Sequence, residues 1–390
     1  MNPGDVLTLN IEKVAHGGFC IARHEGIVIF VRHALPNEKV EAKLISLAPG
    51  KKSWFAQTTK IINASKYRRE SPCEYFHENG CGGCDFQHTT SSYQRSLKLE
   101  VLIEQLQRLG NVTNAREICR INAVEPEEKY WRTKIRVIAN EKGEWGFRKF
   151  KDHQIQPIKK CLIADESINQ ILETLPSGQA NEEISIVKSD EETIVIPGQS
   201  RIKNDLSIKR NVLGIDFESQ GSGFWQVHQN AAHTLMTVVE NESKKMEINN
   251  FLDLYSGVGI LARAILKNHP QAKGYAIESE KDATRSALAN LKEFKVKCLS
   301  QKVDKWIFSN SEKFDLVVLD PPRSGAGVKV MKEICKKTLS KIIYIACDPA
   351  SLARDVAVAE DKGWKLVKVD AYDFFPMTHH FESVAIFTRA

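Results

Sequence analysis

The residues able to do chemistry concentrate in the last third of the chain. Tyr344-Ile345-Ala346-Cys347-Asp348-Pro349 reads as a buried strand, its apolar run from Ile342 to Ala346, that delivers a single cysteine to a sharp turn. A thiol at the carboxyl end of a strand, where open α/β sheets keep their active sites, is a candidate nucleophile. Asp320-Pro321-Pro322-Arg323-Ser324-Gly325 follows an earlier apolar run. Its prolines hold an extended backbone and aim Asp320 and neighbouring carbonyls into a cleft. Near the end, His379-His380-Phe381-Glu382-Ser383 offers Glu382 as a general base, with His379 and His380 as alternatives because histidine titrates near neutrality.

A second constellation suits a nucleotide-like ligand. Asp253-Leu254-Tyr255-Ser256-Gly257-Val258-Gly259 places glycines where a helix starts, so the backbone can approach a ligand closely. The order is neither G-x-G-x-x-G nor a phosphate-cradling loop, so it suits a ligand without pyrophosphate. Glu278 ends the next predicted strand, where a carboxylate can accept both ribose hydroxyls. The pair fits S-adenosylmethionine. With a methyl donor, a thiol and a base in one cleft, one reaction uses all three. Carbon-5 of uracil is a poor nucleophile until a thiolate adds to carbon-6. Carbon-5 can then take the methyl group, and a base removes its proton. Transfer to an amino group would need neither thiol nor base.

A third group is Pro72-Cys73-Glu74-Tyr75-Phe76-His77-Glu78-Asn79-Gly80-Cys81-Gly82-Gly83-Cys84. Three cysteines lie close together, and glycines let the backbone fold tightly enough for several thiolates to face one ion or cluster. Cys161 is the candidate fourth ligand and Cys119 its competitor. Four thiolates fit zinc or an iron–sulfur cluster, and spacing does not choose between them.

The elements that must position these groups follow from periodicity. At 390 residues the chain should hold two or three domains. Residues 1–62 alternate as five short strands, Val6–Ile11, Phe19–Arg23, Ile27–Val31, Lys39–Ser46 and Trp54–Ile62, which suggests a small OB-like barrel. The middle region, 63–220, is read as mixed α/β. It has a helix over 91–110 and turns at Pro197-Gly198-Gln199-Ser200 and Gly221-Ser222-Gly223. From 221 to 390 strands and helices alternate, which predicts a parallel, doubly wound sheet.

Charge is uneven along the chain. From Lys129 to Lys160 there are ten Lys/Arg against three Asp/Glu. That stretch also holds Trp131, Trp145, Phe147 and Phe150, a composition suited to a polyanion whose bases stack on aromatic rings. No run is long and apolar enough to span a membrane, and Met1-Asn2-Pro3-Gly4-Asp5 carries no signal pattern, so a cytoplasmic protein is expected. Nine cysteines in such a chain favour metal binding or catalysis over a disulfide framework. A monomer without an obligate protein partner is expected.

Phe224-Trp225-Gln226-Val227, the Asp253–Gly259 loop, Asp320-Pro321-Pro322-Arg323, Ala346-Cys347-Asp348-Pro349 and His379-His380-Phe381-Glu382-Ser383-Val384 together resemble the RNA uracil-C5 methyltransferase family over nearly the whole chain. The resemblance implies a Rossmann-like methyltransferase domain, with Gln226, Tyr255, Gly257, Glu278 and Asp320 around S-adenosylmethionine, Cys347 as nucleophile and Glu382 as base. It implies a 4Fe-4S cluster on Cys73, Cys81, Cys84 and Cys161. Pro3-Gly4-Asp5 and Lys13-Val14-Ala15-His16-Gly17-Gly18 make the amino-terminal barrel similar to a TRAM domain, which binds RNA. Barrel plus cluster resembles the bacterial branch acting on large-subunit ribosomal RNA, since the transfer-RNA branch typically lacks both. Transfer RNA as substrate, or a non-catalytic RNA-binding assembly factor, are the rival readings.

Overall fold

The computed structural model describes residues 1–48, 50, 52–198, 207–221 and 223–389, so Gln199, Ser200 and Ser222 of the expected turns lie outside the described residues. The first five strands are β1 (Val6–Val14), β2 (Phe19–His24), β3 (Ile27–Arg32), β4 (Lys39–Leu47) and β5 (Ser53–Asn63). They close into a barrel in the order β1-β2-β3-β5-β4. Alternation drives closure: Leu9, Ile11, Val40, Ala42 and Leu44 point inward while their neighbours face water. Each expected strand is present, longer by one to three residues.

The middle of the chain serves two bodies. Helix α1 (Ser91–Gly110), α2 (Ala115–Ile118) and β6 (Cys119–Asn122) lead away from the barrel. Helix α1 stops where its apolar period ends, with Asn111 in the left-handed conformation that closes a helix terminus. Then β7 (Lys134–Ala139), β8 (Trp145–Arg148), β9 (Ile155–Pro157), α3 (Glu166–Thr174), β10 (Glu183–Lys188) and β11 (Thr193–Pro197) build an antiparallel sheet ordered β11-β10-β7-β8-β9. A separate hairpin, β12 (Ser207–Val212) and β13 (Ile215–Gln220), follows.

The last part contains α4 (Ala231–Ser243), β14 (Asn250–Leu254), α5 (Ile260–Asn268), β15 (Lys273–Glu278), α6 (Lys281–Asn290), β16 (Val296–Ser300) and α7 (Val303–Ser309). It continues with β17 (Phe314–Leu319), α8 (Val328–Lys337), β18 (Thr338–Ala346), α9 (Pro349–Asp361), β19 (Trp364–Tyr372) and β20 (Glu382–Arg389). Its sheet runs β16-β15-β14-β17-β18-β20-β19-β6, with apolar cores on both faces.

Two features depart from the expected all-parallel sheet. Strand β20 is antiparallel to both neighbours, because the nine residues between β19 and β20 suffice for a return but not for a parallel crossover. Strand β6 extends this sheet from the middle region, and α1 packs on α9 through Leu102 and Leu106 against Leu352 and Val356. The middle region is therefore partly built into the catalytic sheet. No helix among the described residues is long and apolar enough to cross a membrane.

Helix α1 is tied to the turn before β20 by a buried ion pair. Lys98 Nζ lies 2.6 Å from Asp373 Oδ1, and both side chains are 1% exposed. Burial lowers the affinity of the Lys98 amine for its proton, and Asp373 counters this. Asp373→Ala, which leaves the ammonium without its partner, should cost about 3–5 kcal/mol in denaturant unfolding. A Lys98→Met/Asp373→Leu double variant should recover most of that loss.

Candidate active site

The groups singled out in the sequence meet along one edge of the sheet. Glu278 ends β15, Tyr255 follows β14, Asp320 follows β17 and Cys347 follows β18. These strands are consecutive neighbours and run parallel, so their carboxyl ends share an edge. Strand β20 runs the other way and brings its first residue, Glu382, to that edge. Its register pairs Ala346 with Ser383, which sets Glu382 beside Cys347.

The Asp253–Gly259 turn is held from several sides. Asp253 Oδ2 accepts the N–H of Ala262, fastening the start of α5, and Gly257 N donates to Glu278 Oε2 at 3.0 Å. Tyr255 adopts φ 59°, a costly value for a non-glycine residue. Gly259, at φ 90°, has no room for a side chain: a Cβ would sit 2.9 Å from Leu291 Cδ1. Asp253 Oδ1 and Ser256 Oγ are buried without partners among the described residues, so this turn has unused hydrogen-bonding capacity. Gln226 is half-buried on a segment pinned by Thr133 N donating to Val227 O. Its side chain makes no hydrogen bond to the other four expected ligand contacts among the described residues.

The Asp320 loop is supported from below. Tyr344 Oη donates to Asp355 Oδ2 at 2.6 Å, and that carboxylate accepts the N–H groups of Ala326 and Gly327. A Cβ at Gly325, where φ is 83°, would approach Asp355 Oδ2 to 2.7 Å, so only glycine fits there.

Electrostatically the cleft is rich in acids and poor in counter-charge. Burial and then the Glu278 carboxylate push Asp320 up to about 7. Glu382, 2% exposed, is driven well above the usual carboxylate range by burial and by Asp320, with Arg323 opposing. Its Oε1 has no partner. Burial pushes the Cys347 thiol up to about 12, Glu382 and Asp320 adding to the rise and Arg323 opposing it. The resting thiol is thus protonated, and Arg323 is the cation that favours its ionisation. Sequence reasoning quoted Arg323 only as part of a motif. His380, pushed down to about 3 by burial and then His379 and Arg323, is neutral at pH 7 and poorly suited to act as base. His379 is engaged elsewhere, 2.6 Å from Asp85 Oδ2.

The barrel reaches the same neighbourhood. His16 Nε2 lies 3.0 Å from Asp348 Oδ2, while Asp348 Oδ1 accepts Ser351 N to cap α9. Burial works against ionisation of Asp348, but His16 and the Ser351 N–H hold it down to about 2. Beside this contact a groove of about 580 Å³ runs between barrel, α1 and α9. Lys13, His16, Arg23, Arg108 and Arg354 line it against one acid, Glu104.

Cys73, Cys81, Cys84 and Cys161 line one small cavity, with Phe147 and Ile158, and all four are free thiols. Cys119 is in the apolar core beside β19 and has no part in it. Among the described residues, no three His, Cys, Asp or Glu side chains are arranged to hold a single metal ion. Buried Arg32 and half-buried Arg132 lie near these thiols, and Arg32 Nη2 donates to Cys84 O. Three of the four expected base-stacking aromatics are engaged elsewhere, while the half-buried Phe150 ring lies 4.0 Å from the Arg32 guanidinium. Trp131 is fully buried beside Cys84 and Met377, Phe147 lines the cysteine cavity, and Trp145 Nε1 donates to Pro176 O. Strand β8 buries one face against the core of its sheet, and Trp145 and Phe147 pack there.

This fold and edge define an α/β transferase domain behind an RNA-binding type of barrel, and comparison with known proteins agrees. Residues 2–56 match the TRAM domain, 224–342 the methyltransferase small domain, and 301–390 the tRNA (uracil-5-)-methyltransferase family. An uncharacterized RNA methyltransferase of Streptomyces avermitilis is 36% identical, over 99% of both chains. One from Streptomyces coelicolor is 35% identical over 99% of this chain and 93% of its own. The solved Pyrococcus abyssi tRNA (uracil-54, C5)-methyltransferase, in complex with S-adenosyl-L-homocysteine, shares the fold. Its TM-score is 0.72 at 20% identity, covering 98% of this chain and all of its own. The chain belongs to the RNA methyltransferases, and its residues 301–390 are similar to their uracil-5 type. Because the Pyrococcus fold match takes in the barrel, a barrel does not separate ribosomal-RNA from transfer-RNA enzymes.

The site electrostatics make one direct expectation. With its thiol pushed up to about 12, Cys347 is almost wholly protonated at pH 8, so iodoacetamide should label it slowly, faster as pH rises. Arg323→Gln should slow labelling several-fold, measured by mass spectrometry of the Cys347 peptide.

Proposed function

We propose that this chain transfers a methyl group from S-adenosylmethionine to carbon-5 of a uridine in ribosomal RNA. The observation that carries the reading is the row Glu278, Tyr255, Asp320, Cys347, Glu382 along one sheet edge. S-adenosylmethionine supplies an electrophilic methyl on a sulfonium cation. Glu278, Tyr255, Asp320, the Gly257 backbone and Gln226 would hold it. Two carboxylates at the strand ends flanking β14 favour a cationic ligand, and Ser256 Oγ, unpartnered among the described residues, offers a further polar contact.

The remaining steps belong to this chain's own side chains. Cys347, ionised with help from Arg323, adds to carbon-6 of uracil and leaves an enolate whose carbon-5 takes the methyl group. Glu382 removes the carbon-5 proton, and the carbon–sulfur bond breaks to release product. A carboxylate deep in an apolar, acid-rich setting is a stronger base than one in water. As pH falls through its raised pKa it becomes protonated, so the release step is lost on the acid side.

RNA binding is supported by the basic groove, where Arg108 and Arg354 are exposed and enter no ion pair among the described residues. The exposed ring of Phe224, beside Gln226, offers a surface on which a flipped base could stack. The ribosomal assignment rests on the cysteine set and the branch resemblance it carries, since the barrel alone does not choose the RNA. Transfer RNA is the second reading, favoured by the fold shared with the Pyrococcus enzyme.

Cys73, Cys81, Cys84 and Cys161 would hold a 4Fe-4S cluster. Four thiols around one small cavity are the sulfur donors such a cluster takes, and the family resemblance chooses it over zinc. Buried Arg32 Nε and Nη1, which lack partners, suit the negative charge of a thiolate-ligated cluster.

Methyl transfer from labelled donor to total RNA, followed by nucleoside analysis, tests the reading directly: 5-methyluridine is expected, and a methylated amino group overturns it. Cys347→Ala should abolish transfer while donor binding persists. Glu382→Gln should accumulate a covalent RNA–protein adduct, seen as a slow band on a denaturing gel. Protein purified without oxygen should contain iron and acid-labile sulfide, and zinc alone would overturn the cluster.

A further inference from the structure

The segment that delivers Glu382 rests on the cysteine loop. Met377 O accepts the backbone N–H groups of Asp85 at 2.8 Å and Phe86 at 2.9 Å. Asp85 Oδ2 accepts the His379 N–H at 3.0 Å and lies 2.6 Å from His379 Nδ1. Met377 N donates to Gln94 Oε1 at 2.7 Å, and Lys98 Nζ binds both Asp373 Oδ1 and Phe375 O. Met377 itself, at φ 69° and fully buried, packs with Cys84, Trp131 and Ile163, and Cys161 lies against the same cluster. The barrel closes over the clamp as well: a Cβ on Gly18 would meet Asp85 Cγ at 2.9 Å.

We infer that Asp85 and His379 are positioning residues for the reaction, holding the segment 377–382 so that the Glu382 carboxyl faces Cys347. This rests on the reading of Glu382 as the base. Asp85 follows Cys84 directly, so whatever fixes the cysteine loop also fixes the clamp. His379 is three residues from Glu382, and the intervening His380 meets Arg323, with Nε2 3.4 Å from Nη2. The backbone from Met377 to Glu382 is therefore held at its start by the cysteine loop and at its end by the β18–β20 register. Proton removal needs a base within hydrogen-bond reach, and an error of about 1 Å can cost roughly 10²-fold. Addition of Cys347 to the ring does not depend on that reach.

His379→Ala and Asp85→Asn separate positioning from general support. With His379→Ala, adduct formation should proceed near the wild-type rate while product release slows by roughly 10²-fold, so the adduct accumulates. Asp85→Asn keeps an acceptor for the His379 backbone and should lie between. Equal slowing of both steps in both variants would overturn the inference in favour of a merely structural role.

Hydrogen exchange provides a readout that does not depend on turnover. The amides of residues 377–381 should lose protection in His379→Ala, and also in Cys84→Ser, with the barrel strands unchanged. Unchanged protection in Cys84→Ser would overturn the link to the cysteine loop. If Glu382→Gln itself builds no adduct, the base reading fails, and exchange alone then decides whether the clamp holds the segment.

Discussion

The constraint on which the site depends is the reversal of one strand. Parallel strands can bring only their carboxyl ends to the active edge, and each supplies the residue that follows its last pair: Tyr255, Asp320, Cys347. A group that must act from the other side of Cys347 needs a neighbour running in the opposite sense. Strand β20 provides it, paired to β18 through Ala346 and Ser383. The positions of Cys347 and Glu382 are thereby fixed by main-chain hydrogen bonds, not by the rotamers of long side chains. The same arrangement buries Glu382 with an unpartnered oxygen next to Asp320. The resting site is thus electrostatically strained toward protonated groups, a state that a cationic ligand would relieve.

Much of this was legible from residue order alone. The alternating period of residues 1–62 predicts the barrel strands, because each has one face inside a closed sheet. The strand–helix rhythm after Phe224 predicts the later elements for the same reason, and the turns after them place the site residues. What could not be read is what depends on pairing between distant segments. Nothing local in Cys119–Asn122 says that it joins a sheet formed 250 residues later, since a four-residue strand carries almost no periodic signal. Nor does local pattern give the antiparallel sense of β20, although the short connection before it limits the choice. The aromatic residues of the basic stretch were the weakest inference. Trp131, Trp145 and Phe147 are amphipathic or apolar rings, and composition cannot tell a stacking platform from a core.

The contacts missed by sequence reading share a character. Lys98–Asp373, Asp85–His379 and His16–Asp348 each join segments separated by hundreds of residues, and each touches the turn before β20 or the turn after β18. Charged residues are ordinarily read as solvated surface, which is correct for most of this chain. The exceptions are those that a third segment covers: α1 over Asp373, the barrel over Asp85, and the barrel loop over Asp348.

These three pairs also explain why the barrel and the cysteine-bearing region belong in one catalytic body. Had they been tethered RNA-binding modules only, they would contact the sheet through mobile, exposed surfaces. Instead the barrel holds Asp348, the residue immediately after Cys347, and the cysteine loop holds His379, three before Glu382. Cys347 and Glu382, the proposed nucleophile and base, are each backed by a different accessory region. A substrate that engaged barrel and middle region together would act on both supports at once. In the proposed reaction Cys347 and Glu382 act on opposite stages of one addition and elimination, so support for each can be changed separately. That separability makes the division of labour in this molecule open to measurement.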